Sequence, residues 1–408
     1  MTLTLYSLFA CIGIAAILVT AARYFLEKPL SLSVLFIQNF IGLFFIFSGF
    51  VKAVDPLGTS YKIEEYFVEF RFTFLEHYAL AFSVVTIVLE IVLGVTLLLG
   101  YRKNITAWLL LLLILFFTFL TGYTSITDKV TDCGCFGDFL KIKPEQSFAK
   151  DIFLTVLILI LFARRKYIEE LLPKFLSASV TVISTVAFTL FCFRNFAWNE
   201  PVFDFRPYKV GNYLPDMFKE IPDKVEYAWI YKDKATGEVK EFSNDDFMKI
   251  SSEPGFKDKY EFVDRKVAKI LQKGVPAKTA SFQIINENGD DIFEDVIYNP
   301  DYQFIVIAYN LDKTCAKSFG EKLNPLAEAC GKAGIQFFAL TAASPEKREA
   351  FRHENQTAYP FYEADGTPLK TIMRSNPGLL LLKDGKVMGK WHHHHIPSFE
   401  ELKRDYLK

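Results

Sequence analysis

The sequence has little net charge and few cysteines for its length. It carries 46 basic and 47 acidic residues in 408, which gives a net charge of −1. A chain without a basic excess has no general attraction for nucleic acid, so we expect no nucleic-acid partner. Its six cysteines lack the density of a disulfide-stapled secreted domain. These shortages exclude a polyanion-binding protein and a small disulfide-rich scaffold.

Apolar residues are abundant, but only in one half of the chain. Hydrophobic residues make up 51% of the sequence, and the excess lies almost entirely before residue 200. A membrane span needs about 20 mostly apolar residues. Six runs meet or nearly meet this length: 3–21, 33–54, 79–100, 105–126, 148–164 and 176–197. No basic residue precedes the first run, so we expect an uncleaved span rather than a signal peptide.

Loop charges predict the orientation, because Lys and Arg accumulate on the cytoplasmic side. The three loops expected there hold eight basic residues: Arg23, Lys28, Arg102, Lys103, Arg164, Arg165, Lys166 and Lys174. The loops at 52–78 and 127–150 are less basic and more acidic. We therefore expect a multi-pass protein of the bacterial inner membrane, surrounded by lipid, with the part after residue 198 in the periplasm.

Two cysteines, Cys133 and Cys135, lie one residue apart in the polar loop after the fourth run. A disulfide at this spacing closes a small strained ring, which Gly134 permits, and strain makes a disulfide more oxidising. Asp132 and Asp138 are expected to raise the thiol pKa. Redox exchange, a structural pair and a metal site all remain open. The loop contains no histidine, which argues against the metal site.

Glu90 lies midway along the third run, where an ionisable side chain is costly and usually functional. It could handle protons or bond to a quinone, or it could be a structural carboxyl bonded to a neighbouring helix. Gln38 and Asn39 on the second run are possible partners. Between these runs, residues 61–70 place aromatic side chains at helical spacing. This pattern predicts an interfacial helix, with an aromatic-anchored loop as the alternative.

The apolar half resembles a known family. Residues 41–52 with the following Asp55-Pro56, and residues 90–100, resemble the first-span and third-span motifs of the DoxX family. The 133–137 stretch is similar to MauE, a DoxX relative associated with disulfide processing of a periplasmic amine dehydrogenase. The resemblance covers residues 33–165 and implies a four-helix bundle, to which the first and sixth spans are additions.

The polar half has an ordinary globular composition. Residues 200–224 predict an ordered linker, and residues 226–242 predict a β-hairpin. Asn288-Gly289, between 282–285 and 292–293, indicates a second hairpin. From residue 304 the order strand, helix, strand, helix, then a hairpin and a closing helix predicts a mixed sheet covered by helices.

This order resembles thioredoxin-like domains of the TlpA and peroxiredoxin kind. The most specific part of the resemblance is Asn376-Pro377, which is followed by Gly378 and four leucines. The resemblance implies that Pro377 is cis and faces the active site. It also implies that Cys315 is the second active-site cysteine and that Asp312 replaces the nucleophilic first one. Asp312 could instead cap the helix. The domain is then a redox-inactive binding module, or Cys315 exchanges with the loop cysteines, or Cys315 is simply buried. Cys330 is expected in the core.

Four adjacent histidines, His392–His395, follow the last predicted strand. Only alternate residues of a strand share a face, so four in a row do not form a spaced metal site. We expect a solvated run with adventitious metal affinity, and we assign no metal site.

Together these patterns predict an α-helical transmembrane bundle joined to an α/β thioredoxin-like soluble domain. The expected parts are an additional helix at 1–30, a DoxX/MauE-like four-helix domain at 31–166, a sixth span at 175–198, a linker and hairpin extension at 199–274, and the thioredoxin-like domain at 275–408. The expected function is thiol–disulfide exchange on periplasmic proteins through Cys133 and Cys135, or a redox accessory role that supports such exchange. A quinone or another periplasmic oxidoreductase would restore this pair.

The alternative is a non-enzymatic scaffold subunit that binds partner subunits in a membrane complex. The sequence leaves open whether the protein is an enzyme. A transporter is less favoured, because only Glu90 suggests a polar path and no inverted repeat is visible.

Overall fold

The structure is a computed structural model that describes residues 4–27, 31–127, 134–220, 222–272, 274, 277, 279 and 282–407. Asp132 and Cys133 of the cysteine loop lie outside these residues, whereas Gly134 and Cys135 lie within them.

Long helices form the apolar half. Within the described residues they are α1 (Leu5–Glu27), α2 (Leu32–Val54), α3 (Pro56–Glu69), α4 (Ala79–Leu99), α5 (Lys103–Thr127), α6 (Pro144–Ala163) and α7 (Lys174–Phe193). All except α3 belong to the six segments that are long and apolar enough to cross a membrane. The six predicted spans are therefore confirmed by length and composition.

α2 lies at the centre of the bundle. In the most apolar window of each span, α2 is 67% buried, whereas α1 is 22% and the α7 segment 11% buried. α2 and α4 approach closely at Gly42 and Gly94, where a Cβ added to Gly94 would lie 2.6 Å from the Gly42 carbonyl oxygen. Small residues permit such close crossings in membranes. The first and last spans thus pack on the outside of a bundle built around α2.

α3 is a helix, so the alternative of an irregular loop was wrong. It begins after Asp55, whose side chain accepts a 3.0 Å hydrogen bond from the Gly58 N–H, and Pro56 occupies the first turn. Buried Tyr66 forms a 2.9 Å hydrogen bond with Thr124 of α5. This contact fixes α3 across one end of the bundle.

The polar half contains two sheets. The strands of the described part are β1 (Lys224–Asp233), β2 (Val239–Phe242), β3 (Tyr260–Gln272), β4 (Ile284–Ile285), β5 (Gln303–Ile307), β6 (Gln336–Thr341), β7 (Phe361–Ala364), β8 (Gly378–Lys383) and β9 (Lys386–His392). The helices are α8 (Pro215–Phe218), α9 (Asn244–Ile250), α10 (Phe256–Lys259), α11 (Phe293–Ile297), α12 (Asn324–Lys332), α13 (Pro345–Asn355), α14 (Gly366–Ile372) and α15 (Phe399–Asp405).

The larger sheet has the order β4-β7-β6-β5-β8-β9. β5, β6 and β7 are parallel, and the other pairings are antiparallel. Central β5 turns Phe304 and Val306 toward a core shared with α12, α13 and α15, and Ile305 and Ile307 toward a core shared with α8, α11 and α14. The sheet is therefore covered by helices on both faces, as the mixed-sheet prediction required.

Three local predictions need correction. The turn at Asn288-Gly289 exists and Ile285 pairs with Asp291 in an antiparallel bridge, but the return side stops there, because residue 293 starts α11. The sequence interpretation also missed β3, β7 and α14. Residues 200–224 are more than a linker over the membrane, since Tyr208, Leu214 and Met217 are buried in the core of the larger sheet.

Candidate functional site

The cysteine loop is held against the bundle by an aromatic anchor. Phe136 is buried, and its ring lies 5.8 Å from the Phe44 ring of α2. The backbone turns at Gly134 and Gly137, which have φ values of 63° and 50°, a region that favours glycine. The Ser48 hydroxyl donates a 3.4 Å hydrogen bond to the carbonyl oxygen of Cys135. The loop is thereby fixed at the end of α2.

Cys135 is a half-buried free thiol. Burial raises the pKa of this thiol, and the Lys150 ammonium opposes the rise. The raised pKa was expected, but its causes are burial first and then Asp151, whereas Asp138 bonds to Arg374 at 3.2 Å. Asp132 lies outside the described residues. Cationic Lys150 is the group that would favour a thiolate here.

An inner cavity of about 670 Å³ lies beneath the loop, between α2, α3, α4, α5 and α6. Its walls are mainly aromatic and aliphatic, with the Cys135 side of the loop at one end. This volume is in the usual range for small-molecule sites, which combine apolar walls with a few polar groups.

Two buried ion pairs provide most of the charge in the inner cavity. Lys52 contacts Glu90 at 2.5 Å, and Lys150 contacts Asp151 at 2.5 Å. Thr121 donates a further 2.9 Å hydrogen bond to Asp151. Burying an unpaired charge at this depth costs a large desolvation free energy. In each pair the opposite charge offsets part of that cost.

Glu90 therefore has a partner that the sequence interpretation missed. Its possible partners Gln38 and Asn39 point elsewhere: Gln38 donates to the Leu97 carbonyl at 2.7 Å, and Asn39 donates to Thr20 at 3.0 Å. Lys52 was counted with the 52–78 loop, although it also lies within the second apolar run at 33–54 and so could have been placed on α2.

An outer cleft of about 760 Å³ lies on the other side of the cysteine loop. It is bounded by α3, the 134–141 loop, the segment 201–206 and the end of α14. Thr59, Lys62 and Gly134 line both this cleft and the inner cavity. A Cβ on Gly134 would approach the Lys62 Cγ to 3.0 Å, so these two residues form a thin common wall.

Arg374 joins the two halves of the molecule at the outer cleft. Its guanidinium contacts Asp55 at 2.6 Å and Asp138 at 3.2 Å, and it also donates to the Lys370 carbonyl oxygen. Glu200 accepts the backbone N–H groups of Arg374 and Ser375 at 3.1 and 2.7 Å. The larger sheet and the cysteine loop consequently lie on the same side of the bundle.

Burial by itself would raise the pKa of Asp55, but the charge and hydrogen bonds of Arg374 lower it below the ordinary value. The pKa values of Glu200 and Asp204 are lowered in the same way, against burial, chiefly by Arg206 and Lys390. These carboxylates are therefore charged at neutral pH, and the junction between the two halves is held by ion pairs.

The residues expected at a degenerate thioredoxin-like site come together in part. The Asn376–Pro377 peptide bond is cis, and the Cys315 N–H donates to the Asn376 carbonyl oxygen at 3.1 Å. Asp312 does not cap a helix, because it is exposed and pairs with Lys347 at 2.7 Å, while Asn310 caps this turn. Cys330 is buried in the core, as expected.

The histidine run is not uniformly solvated. β9 ends at His392, which is buried, and His393–His395 form a 3₁₀ turn. This turn gathers side chains that a strand would have separated: one ring nitrogen from each of His392, His393 and His394 lies within 4.8 Å of the others. The prediction that adjacent histidines cannot converge assumed that the strand continued.

Residues 30–164 match the family described as methylamine utilisation protein MauE. The match spans less than half of the chain and covers α2–α6, both ion pairs of the inner cavity and the cysteine loop. Gly134 and Cys135 thus lie in the MauE-like segment, and Arg374 and the histidines lie outside it. No curated protein and no solved structure matches the chain.

Proposed function

We propose that this protein exchanges thiols and disulfides with envelope proteins through Cys133 and Cys135. The observation that carries the proposal is the place of Gly134, between the two cysteines and in the wall shared by the inner cavity and the outer cleft. A cysteine pair centred on this wall could meet a protein thiol from the outer side and a membrane-soluble oxidant from the inner side.

The exchange consists of two displacement steps. A substrate thiolate attacks the loop disulfide and forms a mixed disulfide, and the second substrate thiol displaces the loop thiol. The substrate gains a disulfide and the loop becomes a dithiol. Returning the loop to a disulfide releases two electrons and two protons, which require an acceptor.

We propose a quinone in the inner cavity as this acceptor. The cavity has aromatic walls, and the ammonium groups of Lys52 and Lys150 are hydrogen-bond donors suited to carbonyl oxygens. A quinone bound there would accept both electrons and both protons. Lys150, which interacts electrostatically with Cys135, would favour the thiolate that starts reoxidation.

We further propose the predicted organisation of the chain, with a thioredoxin-like unit at 275–408. The mixed six-stranded sheet, helices on both faces and the cis bond before Pro377 support this fold. The proposed setting is the bacterial inner membrane, with this unit and the cysteine loop in the periplasm.

The test uses the full chain in lipid nanodiscs with and without a quinone. We expect quinone-dependent oxidation of a reduced two-cysteine peptide, and its loss in the Cys133→Ser/Cys135→Ser variant. Cys11→Ser is the matched control, because Cys11 is an exposed thiol of α1. Equal activity in the double variant would refute the role of the loop, and activity without quinone would refute the acceptor.

The second candidate is a scaffold subunit, favoured by the lone Cys315 beside an aspartate that has its own ion pair. It predicts a stoichiometric complex with partner subunits that forms equally well in the double cysteine variant. The Cys315→Ser variant also distinguishes the scaffold from the exchange function. A lower rate of thiol–disulfide exchange in this variant would assign Cys315 to the reaction.

A further inference from the structure

The histidine turn carries an inference independent of the proposed redox function. We propose that His392, His393 and His394 form a binding site for one divalent transition-metal ion of the zinc class. The ring centroids lie 4.2 Å apart for His392 and His393, and 4.1 Å apart for His393 and His394. Three imidazoles with an open fourth position are a typical zinc ligand set.

A positioning residue orients the central ligand. Ser375 donates its hydroxyl proton to the Pro377 carbonyl oxygen at 2.5 Å and lies 2.9 Å from Nδ1 of His393. Because the serine proton is directed to Pro377, the tautomer in which His393 Nδ1 donates to the serine oxygen is favoured, and this tautomer leaves the Nε2 lone pair for a metal ion. Metal-ligating histidines are commonly oriented by such an outer hydrogen bond.

The other two ligands differ in exposure. His392 is buried, and its Nδ1 accepts a 3.3 Å hydrogen bond from the His394 N–H, which is long for such a bond. The ring of exposed His394 lies 5.0 Å from the Trp198 ring. An ion would therefore enter from the His394 side and be held from the buried side.

Two charges near the turn act in opposite directions. The Lys322 ammonium bonds to the carbonyl oxygens of His393 and His394 at 3.2 and 2.7 Å, and it repels a cation. The Glu200 carboxylate, which acts on His392, attracts one. Metal affinity at this site would therefore come from the imidazole ligands and not from surrounding negative charge.

The chain provides a matched control within the same run. His395 is exposed like His394, but it does not belong to the convergent group. A flexible histidine tract that chelates metal would lose similar affinity when either residue is removed. A preformed site would lose affinity only with His394.

The experiment is calorimetric titration of the full chain in detergent with Zn²⁺, using Mg²⁺ as the negative control. We expect one Zn²⁺ per chain, a loss of affinity of about tenfold or more in His394→Ala and in Ser375→Ala, and less than about twofold change in His395→Ala. Thermal unfolding with Zn²⁺ should show a higher midpoint for the wild-type chain.

Three outcomes would overturn the site. The first is that the wild-type chain binds no Zn²⁺ at concentrations up to about 0.1 mM. The second is an equal loss of Zn²⁺ affinity in His394→Ala and His395→Ala. The third is an unchanged Zn²⁺ affinity in a folded Ser375→Ala variant. None of these results bears on exchange by the cysteine loop, so the two proposals can fail separately.

Discussion

Gly134 illustrates how much one residue without a side chain can determine. Its positive φ allows the loop to turn, and the missing Cβ lets the loop lie against Lys62. The inner cavity and the outer cleft are separated at this contact. The residue type therefore serves both the backbone and the proposed passage of electrons across the wall.

We predict that Gly134→Ala slows dithiol oxidation by about tenfold or more, because small displacements of reacting groups are costly. The backbone strain is about 1–2 kcal/mol. Gly137→Ala is the matched control: it has a φ of 50°, but nothing lies within 4 Å of its added Cβ. Thermal unfolding and peptide oxidation measure the two effects, and equal oxidation rates in both variants would contradict the role of the wall.

The Lys52–Glu90 ion pair should contribute to the stability of the bundle. Lys52→Met leaves a buried carboxylate without its partner, and we expect unfolding to become easier by about 3–5 kcal/mol. The double variant Lys52→Met/Glu90→Leu removes both charges and should lose less than the sum of the single changes. Chemical unfolding in detergent measures this coupling, and additive losses would show that the pair contributes nothing.

The α2–α4 crossing is the element on which the bundle depends. Both helices are mostly apolar on every side, so the hydrophobic effect does little to select their contact face within lipid. Three glycines select it instead: Gly42 and Gly49 on α2 and Gly94 on α4 let the helices meet where a side chain would collide. Both helices also line the inner cavity, α2 with Lys52 and α4 with Glu90.

We predict that Gly94→Ala destabilises the bundle by about 1–3 kcal/mol through overpacking. A Cβ there would lie 2.6 Å from the Gly42 carbonyl oxygen and 2.7 Å from the Ile46 side chain. Gly13→Ala is the control, because nothing lies within 4 Å of its Cβ on α1. Thermal unfolding in detergent compares them; equal unfolding midpoints would contradict the close crossing.

At the scale of the whole molecule, the two halves are joined by charge. Arg374 from the polar half contacts Asp55 and Asp138 of the apolar half. Arginine suits this place, because its planar fork bonds two carboxylates and remains charged at all working pH values. The proposed exchange site lies at this junction, so its geometry depends on docking.

Acid should release this docking. The pKa of Asp55 is lowered from its ordinary value of 3.8, so its contribution is complete above that value and is lost as pH falls through the lower, docked-state value. We expect constant docking from pH 7 to about pH 5 and a loss only below about pH 4. Energy transfer between dyes on α3 and α14 measures it.

Arg374→Ala provides the comparison for the acid experiment. This variant should show the low transfer efficiency of the undocked state already at pH 7, and no further change on acidification below about pH 4, where the wild-type chain undocks. If it stays docked at pH 7, the ion pairs do not hold the halves together. Loss of docking in the wild-type chain near pH 6 would point to a titrating group other than these carboxylates.

Sequence patterns were enough to predict the six long apolar helices, the amphipathic α3, the central strands of the larger sheet and the turn at Asn288-Gly289. These features depend on local patterns: apolar length, helical spacing and turn residues. The cis bond before Pro377 was also expected, from a resemblance rather than from a pattern. Cys133 lies outside the described residues, so its pairing stays a prediction.

The contacts between side chains distant in sequence could not be predicted and became visible in the folded chain. Lys52 faces Glu90, Arg374 reaches Asp55, and Gly134 separates two cavities because helices and loops far apart in sequence pack together. The convergence of His392–His394 depends on where β9 ends, which hydrogen bonds with Ser375 help to fix. Hydropathy and spacing report on neighbours along the chain, and they carry no information about contacts that packing alone creates.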